Sequence, residues 1–283
     1  MNNCFYKING EYQCLNIEYF DTNMTDISLV PIIIGINNSN KIYYADNDVK
    51  NNPNWKQLSN KFINVTYSNK LSFCIDIDSN IYYSSYNILY KNFFSDWTKI
   101  QSLNNINLIQ IFLDGYNHIL VCIDNLKNIY YEDRNIFNPK WTKLNYQLNN
   151  LCLSNKQIFG IDTSNNIMYY PDYTDSKNSM RIYSEEKIKH ICYDPFKKIL
   201  IKIDLFGNIY YALDKTKNNF WTIKSPRWIN ISGNIKNIIY ASYSNKQIYA
   251  LDKFGKIYYN SNYKSSNWIN IYGQLSQICF EEN

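Results

Sequence analysis

Apolar residues in this chain come in short runs of four to six, separated by polar clusters, and the runs are apolar at consecutive positions. Phe73-Cys74-Ile75 and Ile209-Tyr210-Tyr211 are examples. No stretch sustains the i, i+3, i+4, i+7 spacing of an amphipathic helix of ordinary length. Ile, Val, Tyr, Phe, Thr and Trp dominate the runs, and these side chains pack well on a pleated surface. A sheet with one wet face alternates apolar and polar positions. Runs apolar on both parities predict strands covered on both sides.

The runs repeat. The segment Ile203-Asp204-Leu205-Phe206-Gly207-Asn208-Ile209-Tyr210-Tyr211 reads as strand, tight turn, strand. Equivalent hairpins end at Ile42-Tyr43-Tyr44, Ile81-Tyr82-Tyr83, Ile129-Tyr130-Tyr131, Met168-Tyr169-Tyr170 and Ile257-Tyr258-Tyr259. Their spacing of roughly 40 to 48 residues is that of four-stranded propeller blades. In each copy a first strand ends in Asp or Asn, and a polar loop follows the Tyr pair. Next comes a Trp-led segment (Trp55, Trp97, Trp141, Trp228, Trp268; Met180-Arg181-Ile182 in the fourth copy), and then a fourth apolar strand.

This predicts an all-β chain forming a single β-propeller over residues 1–283. Residues 31–274 are read as six repeats. Cys4–Ile8 and Glu11–Leu15 flank the Asn9-Gly10 turn, a strong hairpin signal, and Ile27–Val30 supplies a further strand. Residues 1–30 are therefore read as half a blade, completed by the C-terminal strand in 275–283. The expected ring has seven blades, with six as the alternative. Closure of this kind ties down both termini and leaves few open strand edges.

Composition narrows the function. The chain has 283 residues, 28 Tyr and only 8 Gly, with Asn, Ile and Lys in excess. That excess follows A/T-rich codons and points to an A/T-rich genome, such as that of a large DNA virus of protists or of an A/T-rich parasite, with a virus particle or host complex as one setting. The net charge of +5, from 29 basic and 24 acidic residues, is dispersed. A nucleic-acid reader concentrates its charge on one face, so none is expected. The start of the chain lacks a secretory h-region and no apolar run is long enough to span a bilayer, so an intracellular protein without membrane insertion is expected. Cys74 and Cys122 recur in the first strand, and Cys152, Cys192 and Cys279 in the fourth, as small apolar residues would.

Chemistry is sparse. His118 and His190 lie in different repeats with no partner at a motif spacing. No phosphate loop, metal motif or nucleophile elbow occurs. Asp76-Ile77-Asp78-Ser79-Asn80 resembles the start of a calcium loop, but its repeat equivalents cannot bind calcium. The repeated Asp is expected to accept turn amides. No catalytic residue, metal or cofactor is expected, and the chain reads as a non-enzyme. The candidate binding residues lie on the two longest loops between the Tyr pair and the Trp segment: Tyr90, Phe93 and Phe94 on one, Phe220, Trp221 and Arg227 on the other. Exposed aromatics with Arg are typical anchors of protein interfaces.

Trp228-Ile229-Asn230-Ile231-Ser232-Gly233-Asn234-Ile235 and Trp268-Ile269-Asn270-Ile271-Tyr272-Gly273-Gln274-Leu275 resemble the tectonin repeat, W-x-x-I-x-G-x-L. Phe159-Gly160-Ile161-Asp162 and Ile34-Gly35-Ile36-Asn37 are similar to the next tectonin element. The second and third copies lack the Gly and the fourth lacks the Trp. Chromatin-condensation-regulator propellers are a weaker resemblance, because their repeats are rich in Gly. The tectonin resemblance implies a propeller that binds proteins in some members and glycans in others. The expected function is a protein-docking scaffold, with a lectin-like glycan binder as the alternative.

Overall fold

The computed structural model describes residues 5–8, 11–14, 32–45, 53–68, 71–85, 96–100, 103, 105–115, 117–194, 197–216, 221–244 and 247–281. These form six four-stranded antiparallel sheets and one two-stranded hairpin. Within each sheet the strands are named A to D from the centre outward. Blade 1 is Gln277–Glu281, Ile32–Ile36, Lys41–Ala45 and Lys56–Lys61; blade 2 is Asn64–Ser68, Leu71–Ile75, Ile81–Ser85 and Thr98–Ile100. Blade 3 is Leu108–Asp114, Ile119–Asp124, Asn128–Glu132 and Thr142–Gln147; blade 4 is Asn150–Ser154, Gln157–Ile161, Ile167–Tyr170 and Met180–Ile182. Blade 5 is Ile188–Asp194, Ile199–Asp204, Ile209–Leu213 and Ile229–Asn230; blade 6 is Ile238–Ser244, Gln247–Asp252, Lys256–Asn260 and Ile269–Gln274. The A strands of successive blades touch one another in a closed circle.

The ring therefore has six blades and not seven. Phe5–Ile8 and Glu11–Cys14 form the expected hairpin, but these strands pair with each other. The C-terminal strand pairs instead with Ile32–Ile36, in register from Gln277↔Ile36 to Glu281↔Ile32. The seam thus runs inside blade 1, and the segment that ends each repeat in sequence is the innermost strand of the next blade. Ile27–Val30 lies outside the described residues. The fourth repeat also shifts by one: Ile167 pairs with Ile161, so Met168 takes the place of the first tyrosine and Tyr169 that of the second.

The B strands of blades 3, 5 and 6 are buried at every position, as expected for strands covered on both faces. Neighbouring blades are joined by polar clamps as well as by the apolar core. Near the centre, A-strand side chains bond the backbone of the next A strand: Ile111 N donates to Asn64 Oδ1 at 2.9 Å, and Leu113 N to Thr66 Oγ1 at 3.2 Å. Gln277 both accepts from Val65 N and donates to Val65 O. At the rim, Trp indole N–H groups bond the outer strand or crossover of the preceding blade: Trp55 to Tyr272 O, Trp228 to Tyr183 O and Trp268 to Ile231 O, at 2.7 to 3.0 Å. The Gly of the W-x-x-I-x-G motif makes room for this approach. A Cβ on Gly273 would lie 2.7 Å from the Trp55 indole nitrogen, and one on Gly233 would lie 2.0 Å from Ser266 O.

Candidate functional site

All six B–C turns share one construction. The first residue, Asn37, Asp76, Asp124, Asp162, Asp204 or Asp252, accepts from the amides two and four residues on through Oδ1, at 2.8 to 3.0 Å. The fourth residue is left-handed in every copy: Asn40, Ser79, Lys127, Asn165, Gly207 and Gly255 have φ between 61° and 86°. This is a type I turn followed by a left-handed bulge residue, a common hairpin closure. Both carboxylate oxygens of Asp76 are used inside the turn, Oδ2 accepting from Asn80 Nδ2 at 2.9 Å. The hydroxyls of Tyr130, Tyr210 and Tyr258 reach back to the Oδ2 of Asp124, Asp204 and Asp252.

With its base held this way, each turn projects its second and third residues from the disc. Several of these positions are apolar, although turn chemistry favours polar residues there. Ile77 is 76% exposed, Leu126 68%, Leu205 51%, Phe206 81% and Phe254 61%. All five are turn-tip residues on the same face, in blades 2, 3, 5 and 6. Blades 1 and 4 carry Asn38-Ser39 and Thr163-Ser164 at the same positions. The D-to-A crossovers lie on this face too, and backbone bonds tie them to the turns: Phe62 N to Asn40 O, Leu148 N to Lys127 O and Leu275 N to Gly255 O, at 2.8 to 3.2 Å. The turns and these crossovers are thus hydrogen-bonded to one another. Beside Ile77, residues Asp78, Asn80, Leu103, Asn105 and Asn107 help line an open hollow of about 490 Å³.

The C strands run from the B–C turns toward the opposite face, and the residues chosen from the sequence belong to the segments that follow two of them. Tyr90, Phe93, Phe94 and Phe220 lie outside the described residues. Trp221 is 2% exposed and lies edge-on to Phe159. Its backbone N–H donates to the Tyr169 hydroxyl and its indole N–H to Ile223 O. Its burial makes it a core residue where an exposed anchor was expected. Arg227 is exposed. The apolar turn tips lie on the shortest connections of the repeat and not on its longest loops. The available signal was an apolar residue at the apex of a two-strand turn, where turn chemistry favours Asn, Asp, Gly or Ser.

Two interior features stand apart. Lys202, in the B strand of blade 5, is fully buried. Its ammonium lies 2.6 Å from both Glu186 Oε2 and Ser184 Oγ, and 4.3 Å and 4.7 Å from the ring centroids of Trp228 and Tyr210. Burial lowers the Lys202 pKa, an effect Glu186 opposes. Burial would raise the Glu186 carboxyl, but the Lys202 hydrogen bond and charge leave it below its usual range. His190 is buried too, with Nε2 2.8 Å from Ala241 O, and burial pushes its pKa down to about 4. Burial raises the thiols of Cys74, Cys122, Cys152, Cys192 and Cys279, and all five are unpaired. Among the described residues no three of His, Cys, Asp or Glu gather to hold a metal ion.

Six radial, four-stranded sheets closed inside one blade define a β-propeller, and comparison with known proteins agrees. The family profile of the tectonin domain matches residues 107–282, from blade 3 through to the closing strand. The chain belongs to the tectonin family. Its fold is similar to a chain of a nidogen–laminin complex, with TM-score 0.66, 14% identity, 89% of this chain and 98% of that one covered. It is also similar to Prp20p from Saccharomyces cerevisiae, with TM-score 0.53, 9% identity and coverage of 81% and 69%. YCF48 bound to D1 peptide gives TM-score 0.53, 11% identity and coverage of 87% and 82%. No curated protein matches the chain in sequence.

Proposed function

We propose that this propeller is a protein-docking module and that it docks through the face of the B–C turns. The observation that carries this reading is the set of apolar tips Ile77, Leu126, Leu205, Phe206 and Phe254, all on one face and all on turns anchored by a carboxylate. Exposed apolar clusters on a soluble scaffold mark interaction sites, and rigid presentation lowers the entropic cost of association. The similar structures support a protein partner: they include a nidogen–laminin complex, a Prp20p whose binding to Gsp1p and histones was studied, and YCF48 with a peptide. A virus particle, the setting suggested by the codon bias, is one assembly such a module would serve.

Affinity capture from the source lysate tests the face. Loss of a partner in Phe206→Ser/Phe254→Ser and its retention in Phe93→Ala/Arg227→Ala are expected. The reverse pattern would move the docking site to the C–D loops. The hollow beside Ile77 favours a second reading, a lectin, because Asp78, Asn80, Asn105 and Asn107 offer the hydrogen-bonding groups a sugar needs. Glycan-array binding that Asn105→Ala abolishes, with capture unchanged in the phenylalanine variant, would establish it.

A further inference from the structure

The apolar tips of blades 5 and 6 belong to one continuous strip. Leu205 N donates to Lys187 O, Ile238 N to Gly207 O and Lys253 N to Asn237 O, at 3.0 to 3.3 Å. These three bonds join the crossover into blade 5, the blade 5 turn, the crossover into blade 6 and the blade 6 turn. Leu205, Phe206 and Phe254 are its apolar members. Lys236, Lys253 and Lys256 are exposed along the same segments. The Lys253 ammonium lies 5.0 Å from the Phe254 ring centroid, so a cation and an apolar surface are offered together. Lys187 is turned to blade 4, where it donates to Ser164 O and Asn166 Oδ1.

The acids of the strip are engaged or few. Asp204 and Asp252 are buried and accept turn amides. Glu186 is held by Lys202. Glu185 is the exposed carboxylate among the described residues of these four segments. The surface a partner meets is therefore apolar and positive.

Resting on the docking reading above, we infer that this strip takes an acidic polypeptide segment carrying apolar side chains. Opposite charge supplies orientation and steering, and the phenyl rings supply the buried anchors. A segment fits better than a flat membrane surface. The six B–C turns have the same length and construction, so a plane laid on this face also meets the polar tips Asn38-Ser39 and Thr163-Ser164. A chain lying along blades 5 and 6 avoids both.

The test is selection of a random short-peptide library displayed on phage against the immobilised full chain, with Phe206→Ser/Phe254→Ser for counter-selection. Sequences rich in Asp and Glu beside Leu, Phe or Trp are expected. The best peptide should bind about tenfold more weakly to Lys236→Glu/Lys253→Glu and should weaken at high salt. Selection of neutral or basic peptides, or of none, overturns the inference. So does binding to phosphatidylserine-containing vesicles that depends on the same residues while no peptide is selected. The two readings fail separately: lysate capture lost in the phenylalanine variant but indifferent to the lysine reversals keeps the docking face and rejects the acidic segment.

Discussion

Lys202 occupies a position that is small in every other blade. Counting two residues back from the turn acceptor gives Gly35, Cys74, Cys122, Gly160 and Ala250. Two of these small residues lie under a leucine from the preceding crossover: a Cβ at Gly160 would lie 2.3 Å from Leu148, and one at Gly35 2.5 Å from Leu275. Between blades 4 and 5 an ion pair stands where those two boundaries place a leucine. Lys202→Ala leaves a partly buried carboxylate without its partner and should cost about 2–3 kcal/mol. Adding Glu186→Leu recreates the neighbouring arrangement, so the double variant should recover most of that loss. Urea midpoints of the four-member cycle measure the coupling; simple additivity would refute it. His190 gives a second prediction. Its pKa falls from the ordinary 6.5 to about 4, so the unfolded chain takes up this proton before the folded one does. Stability from His190 is complete above pH 6.5 and is lost as pH falls toward 4, by about 3 kcal/mol. His190→Gln puts in the residue that blades 1 and 3 carry at this register, Gln277 and Gln110. Denaturation at pH 7 and pH 4.5 should show a smaller acid loss in that variant than in the wild type.

At the scale of elements, the turn is the unit that repeats most faithfully. Lys127 holds a left-handed φ of 68° where blades 5 and 6 use glycine. Lys127→Gly relieves that conformation but loosens the unfolded chain, so a net gain of up to about 1 kcal/mol is expected from thermal denaturation. Gly207→Ala should be costly, because its Cβ would meet Ile238 N at 2.6 Å and its φ is 86°. The strands, the turns and their Asp acceptors were legible in the sequence because they rest on local patterning. The blade count was not. The Asn9-Gly10 hairpin is a correct local signal, but whether it joins the ring depends on which strand Gln277–Glu281 selects, a choice made across the whole chain. The site was legible only in part. Loop length marks Trp221 as a surface residue, whereas its place in the core depends on Phe159 and Tyr193 in blades 4 and 5. The apolar tips were in plain view within the repeat and needed the common face of the B–C turns to give them meaning.

For the molecule as a whole, closure concentrates on one strand. Besides its backbone ladder with Ile32–Ile36, the C-terminal segment supplies the two Gln277–Val65 bonds and the Ser276 bonds to Ile36 O. Truncation before Leu275 should abolish cooperative unfolding, as seen by calorimetry. Deletion of residues 1–14 removes strands that pair with each other and should leave Tm nearly unchanged; a large loss of Tm would show that the hairpin braces the ring. The Lys202–Glu186 pair carries a consequence for descent. Each substitution alone should be destabilising, since a lysine beneath a leucine, or a glutamate above a small residue, leaves a buried or partly buried charge without its partner. The two changes are epistatic and lie on either side of a blade boundary. A duplicated or transplanted blade 5 would bring Lys202 along and arrive functional only with the crossover that precedes it, so the heritable unit here is offset from the structural blade.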